Sequence, residues 1–127
     1  MVYLTLLLLL IWSHCLADYP LQGPYISEAK NRNTKLGEDI WWFILPTHAA
    51  IHAGFVGLLF AMYGFMMHVP GWEMLAMLFA GCELFSHTII DYDKCDGELT
   101  HAQDQLAHIF CKVVYVIIFA SVVVITP

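Results

Sequence analysis

Eight histidine and aspartate side chains fall into four pairs, each spaced to grip a metal ion. His14 and Asp18, His48 and His52, His87 and Asp91, and Asp104 and His108 all lie four residues apart. On a helix, residues four apart share a face with Cβ atoms about 6 Å apart, so both can reach one ion. Zinc proteases with H-E-x-x-H rest on the same spacing. Imidazole with carboxylate suits a divalent transition metal, Zn first with Fe or Mn as alternatives, rather than Ca or a thiolate-seeking ion. A single such pair is unremarkable as a packing or hydrogen-bonding device. Four pairs, one on each predicted helix, point to a shared centre.

The elements that must position them are apolar. The chain has 127 residues, enough for one domain, and is 60% hydrophobic with 13% charged residues. Soluble proteins carry roughly 25% charged residues, and a small soluble core cannot use the excess apolar surface. Lipid is the solvent that can. The expected fold is therefore all-α: an integral membrane, four-helix antiparallel up-down bundle, a single domain over residues 1–127. Its helices are expected at about 2–19, 43–67, 72–91 and 101–126, with a polar connection over 20–40. Pro20 is expected to stop the first helix, and Pro70-Gly71 to form the turn after the second. Thr100 and Gln103 fit a capping box at the start of the fourth. Gly54, Gly57 and Ala61 offer close helix approach. A cleaved signal peptide ending near Ala17 is the alternative for the first segment. The lack of Lys or Arg before its apolar run, and its passage straight into His14 and Asp18, favour a retained span.

In an up-down bundle all four pairs fall towards one membrane face. Asp18, His48, Asp91 and Asp104 would form an outer layer, with His14, His52, His87 and His108 one turn deeper. Lys30, Arg32 and Lys35 in the first connection and Lys94 in the third make that face cytoplasmic, with both termini outside. An Asp at a membrane centre costs roughly 2.5–3.5 kcal/mol on insertion scales, and bound divalent cations would offset three of them. Glu83 and Lys112 extend the same stripes one turn deeper. A mutual ion pair is the expectation for them, and a proton-accepting Glu83 or a Lys112 that holds an anionic substrate the sharper alternative. His68 and His101 receive no role. The cysteines Cys15, Cys82, Cys95 and Cys111 show no metal-binding or disulfide spacing. A net charge of −6 with five Lys and Arg excludes a phosphate-backbone binder.

The segments His14-Cys15-Leu16-Ala17-Asp18-Tyr19-Pro20-Leu21-Gln22, His48-x3-His52, His87-Thr88-Ile89-Ile90-Asp91-Tyr92 with Lys94, and Asp104-Gln105-Leu106-Ala107-His108 recur together in a known family. In them the chain resembles domain of unknown function 3307, small membrane proteins of bacteria and phages. A more distant similarity joins these to inner-membrane proteins regarded as metal-dependent hydrolases. The resemblance implies the membrane fold and a bacterial inner-membrane location.

The functional expectation is metal-assisted hydrolysis of a phosphoester or lipid-like substrate, with lipid as the surrounding partner. In it Asp18, Asp91 and Asp104 serve as ligands or proton acceptors. The alternatives are a non-enzymatic scaffold or phage accessory with a structural metal or a His/Asp hydrogen-bond network, and a bis-His haem protein. Oligomeric state stays open.

Overall fold

A computed structural model describes residues 1–125. The expected end of the last helix at Thr126 lies outside the described residues. Among them the regular structure is all helical. α1 spans Val2–Leu16 and runs on through a π-helical turn, Ala17–Leu21. α2 is the short helix Gly23–Ala29; α3 is Trp41–Met66, α4 Trp72–Cys95 and α5 His101–Ile125. Four segments are long and apolar enough to cross a membrane: Val2–Leu21, Trp41–Met66, Trp72–Cys95 and His101–Val124. The long helices close into a ring in which α1 packs on α3 and α5, and α4 packs on α3 and α5.

One expectation needs correction. Pro20 does not stop the first helix. Proline removes an N–H and clashes with the carbonyl four residues back, and a wider π turn absorbs both effects while the helix continues. The polar connection over 20–40 also holds α2. Gly23, with φ +61°, turns the chain into that helix, and Pro24 sits in its first turn, where a missing N–H costs nothing. No apolar periodicity marks so short a helix.

The capping box forms as expected. The Thr100 N–H donates to Gln103 Oε1 (2.9 Å), and the Gln103 N–H donates to Thr100 Oγ1 (3.3 Å). Between α3 and α4, Gly71 takes a left-handed φ of +68°. Of the small residues singled out in the sequence, Gly57 faces α4, where an added Cβ would sit 3.1 Å from Ala80 Cβ. Gly54 faces open space. Between α3 and α4 the tightest approach is at Gly64, where a Cβ would come within 2.6 Å of Trp72 Cβ.

The interior has two halves of opposite chemistry. In one, Leu6, Leu10, Val56, Phe60, Phe79 and Phe119 form an apolar core, with the Phe60 and Phe79 rings stacked at 4.2 Å. In the other, the same helical stripes carry His14, His48, His52, His87, Asp91, Asp104 and His108, all buried. The outward faces are apolar: Trp12, Met77 and Phe85 are each more than 70% exposed. A bundle with apolar outside and polar inside is stable only against lipid.

The segment after α2 is tied to the end of α4. Arg32 donates to Asp96 through Nε (2.8 Å) and Nη2 (2.5 Å), and its guanidinium lies 4.6 Å from the Tyr92 ring centroid. The guanidinium beside it holds the Asp96 carboxyl below its ordinary range, and the same bond raises Arg32. A depressed carboxyl stabilises above the ordinary carboxylate pKa of about 3.9, and that contribution is lost as pH falls through its own lower value. Backbone amide exchange in residues 31–34, taken relative to its intrinsic rate at each pH, should therefore stay slow from pH 7 to 5 and quicken only on stronger acidification. In Asp96→Asn it should be fast throughout. Equal exchange in the two proteins at pH 7 would contradict the tether.

Candidate metal centre

The π turn and four long helices bring the paired residues together. α1 supplies His14 and the π turn Asp18; α3 supplies His48 and His52; α4 supplies His87 and Asp91; α5 supplies Asp104 and His108. His52 Nε2 lies 3.1 Å and His48 Nε2 3.4 Å from the same oxygen, Asp18 Oδ1. His48 Nε2 and His87 Nε2 each lie 3.6 Å from Asp91 Oδ2. His108 Nε2 lies 3.6 Å from Asp91 Oδ1 and 3.4 Å from Asp104 Oδ1.

Close as they are, these contacts are not hydrogen bonds. Asp18 Oδ1, His48 Nε2, His52 Nε2, His87 Nε2, Asp104 Oδ1 and His108 Nε2 are buried and have no hydrogen-bond partner among the described residues. At 3.1 and 3.4 Å the Asp18 contacts are short enough but the ring directions miss the oxygen. Each such orphan costs about 1–3 kcal/mol, so six in one place imply a missing partner. One set of donors, Asp18, His48, His52 and His87, places its ligand atoms within 4.8 Å of one another. A second set, Asp91, Asp104 and His108, does the same. Both fit a divalent cation.

The surrounding hydrogen bonds decide which nitrogens are free. His87 Nδ1 lies 3.3 Å from Glu83 Oε1, a pure acceptor, so Nδ1 carries the proton and Nε2 keeps its lone pair. His14 Nε2 lies 3.3 Å from Gln105 Oε1 and donates to it. That leaves His14 Nδ1 as the acceptor for the His52 Nδ1–H, 3.3 Å away, and frees His52 Nε2. Metal-binding histidines are held in this manner, with the second N–H donated outward. His14 thus spends both ring nitrogens. A third cluster, His14, His87 and His108, competes for residues the first two already use.

Gln105 completes the frame. Its Nε2 donates to Asp18 Oδ2 and to Asp104 Oδ2, both at 3.0 Å, leaving the Oδ1 atom of each carboxylate free for the centre. Behind His87, Lys112 Nζ donates to Glu83 Oε1 at 2.5 Å, the ion pair expected from the sequence. Glu83 and Lys112 are both buried.

Three contributors had no role in the sequence reading. Lys30 Nζ, at the end of α2, donates to Asp91 Oδ2 at 2.6 Å. Its only sequence signal was a positive charge in a connection, because its partner lies 61 positions away. Gln105 stood inside the Asp104–His108 motif as a neutral spacer. His101, given no role, has its Nε2 3.4 Å from the Tyr19 hydroxyl at the cavity mouth. That cavity, about 320 Å³, reaches the carboxylates of Asp18, Asp91 and Asp104 and is also lined by Lys30, Lys94 and Gln105. Glu83 does not border it.

The family described as "Protein of unknown function (DUF3307)" matches residues 6–126, nearly the whole length and every residue of the centre. The chain belongs to the DUF3307 family. No curated protein and no solved structure matches it. The family description carries no activity, so the centre must be read from its own chemistry.

Proposed function

We propose that this DUF3307 protein is a metal-dependent hydrolase of a phosphoester substrate, built as four antiparallel spans in the bacterial inner membrane. Its centre faces the cytoplasm and its termini lie outside. The observation that carries the reading is the group of six buried, partnerless nitrogen and oxygen atoms from four helical segments. The basic residues of the two connections nearest the centre support the orientation.

The two donor sets suit different roles. Asp18, His48, His52 and His87 offer four donors, as in a closed, structural zinc site. Asp91, Asp104 and His108 offer three donors, as in a catalytic site with a position left for substrate. Two of the three-donor set, Asp91 and Asp104, line the cavity, against Asp18 alone of the four-donor set, so the three-donor set is the one more open to a substrate. An ion there supplies Lewis-acid polarisation of the substrate and acidifies water. Zn fits this mixed imidazole and carboxylate set, with Fe or Mn next.

The chain's own groups do the rest. Gln105 fixes two of the carboxylates, while Lys30 fixes Asp91 and presents positive charge to an anionic phosphoester. Glu83 acts as a positioning residue that orients His87, and His14 does the same for His52. The three carboxylates less Lys30 leave two negative charges, which one divalent ion cancels and a second turns positive. A net positive pocket favours phosphate oxygens.

A scaffold with a structural metal is the second reading, favoured by the four-donor set. A bis-His haem is not supported by the packing. The His52 and His87 rings stack at 3.7 Å and those of His87 and His108 at 4.1 Å, leaving no slot for a macrocycle between them.

The test is elemental analysis of detergent-purified protein. Native protein should carry stoichiometric divalent metal, and His48→Ala should lose most of it while staying helical by circular dichroism. Native protein with no more metal than the variant would refute the centre.

A further inference from the structure

A second cavity adjoins the first. It is a groove of about 630 Å³ between α1 and α3, walled by Leu9, Trp12, Leu16, Phe55, Leu58 and Pro20. Its lining is apolar apart from Ser13 and the Tyr19 hydroxyl, and it opens outward on spans that cross the membrane. From Leu9 to Pro20 it follows about 16 Å of helix at 1.5 Å per residue. Tyr19 lines both this groove and the polar cavity that reaches Asp18, Asp91 and Asp104. Any apolar face of a membrane protein meets bulk lipid. This one is concave and ends at the same side chain that walls the polar cavity.

The π turn creates the junction. By carrying the helix past Pro20, it places Asp18 towards the centre and Tyr19 and Pro20 on the exposed side. The Tyr19 hydroxyl reaches His101 Nε2 across the mouth (3.4 Å). At the polar end the cavity presents Lys30 and Lys94 beside the Asp18, Asp91 and Asp104 carboxylates, whose charge two divalent ions would more than offset; at the apolar end nothing ionisable intrudes apart from the Cys15 thiol and the Tyr19 hydroxyl. A ligand matching both must be anionic at one end and a hydrocarbon at the other.

We infer that the groove is the acyl-chain site for a lipid phosphoester whose headgroup lies in the polar cavity, so that substrate enters sideways from the membrane past Tyr19. This rests on the phosphoester reading above and narrows its substrate to a membrane lipid. Burying a hydrocarbon chain stabilises by about 0.8 kcal/mol per CH₂ from water, but far less from a bilayer or micelle. The site is therefore recognised by the combination of chain and phosphate.

Binding to the zinc-loaded full chain in a non-ionic detergent tests it, with three probes: 1-palmitoyl lysophosphatidic acid, monopalmitoylglycerol and glycerol 3-phosphate. The lysophosphatidic acid should bind at least tenfold more tightly than either half-molecule. Leu58→Trp fills the groove from an exposed position outside the metal centre, and Leu16→Trp does so from the facing helix. Each should weaken lysophosphatidic acid about tenfold and leave glycerol 3-phosphate unchanged. Monopalmitoylglycerol binding as tightly as the phosphate lipid would mean annular lipid only and overturn the inference; so would indifference to both Trp variants. Metal content of the same samples keeps the two readings apart. Metal-free protein that still shows the chain effect refutes the centre alone, whereas metal-loaded protein that binds glycerol 3-phosphate with no chain effect refutes the groove alone.

Discussion

Asp91→Asn should reduce phosphoester turnover by about three orders of magnitude while the protein remains folded. Asp91 is the residue on which the two donor sets meet. One of its oxygens lies near His48 and His87 and takes the Lys30 ammonium; the other faces His108. Asparagine keeps the shape but removes the charge and offers an NH₂ where an ion needs a lone pair. Metal polarisation is worth several kcal/mol of transition-state stabilisation. Losing about 4 kcal/mol of it corresponds to a thousandfold in rate. The check is turnover of a phosphoester by native and variant protein at matched helicity, with metal counted in both. Lys30→Ala, which spares every proposed ligand, should chiefly raise KM. Full activity in Asp91→Asn would remove the three-donor set from the chemistry.

Lys112→Met should be the most destabilising single change. Lys112 and Glu83 are at most 2% exposed, and their pair lies one helical turn below the histidines. Removing the lysine strands a carboxylate in a dry interior, and breaking a buried pair in this way costs about 3–5 kcal/mol. The double variant Glu83→Gln/Lys112→Met should recover most of that loss, because a neutral amide beside a thioether demands far less. Glu83→Gln alone should unfold less readily than Lys112→Met, yet weaken metal binding about 10–100-fold through the lost hold on His87. Thermal unfolding in detergent, with metal titration of each variant, reads both effects. Equal stability of native and Lys112→Met protein would show that the pair carries no weight.

Much of this protein is set by composition and local spacing alone. Sixty per cent hydrophobic residues with few charges require lipid-facing helices, and four apolar segments follow directly. The i,i+4 pairs are local as well: once a segment is helical, His48 and His52 must share a face. Even the Glu83–Lys112 pair was legible, because both continue stripes already marked by ligand-type residues.

What the tertiary structure alone decided concerns partners distant in sequence. Periodicity cannot tell that His14 gives both nitrogens to Gln105 and His52 while His48 keeps both free, since that depends on which helices are neighbours. Nor does it reveal Lys30 on Asp91, which required a short helix after the π turn to fold back over the bundle. The reason is physical. A helix fixes the angular position of its own side chains through local hydrogen bonds, whereas the sorting of eight equivalent ligands into inner, outer and supporting roles comes from packing between helices, for which no local spacing carries a code.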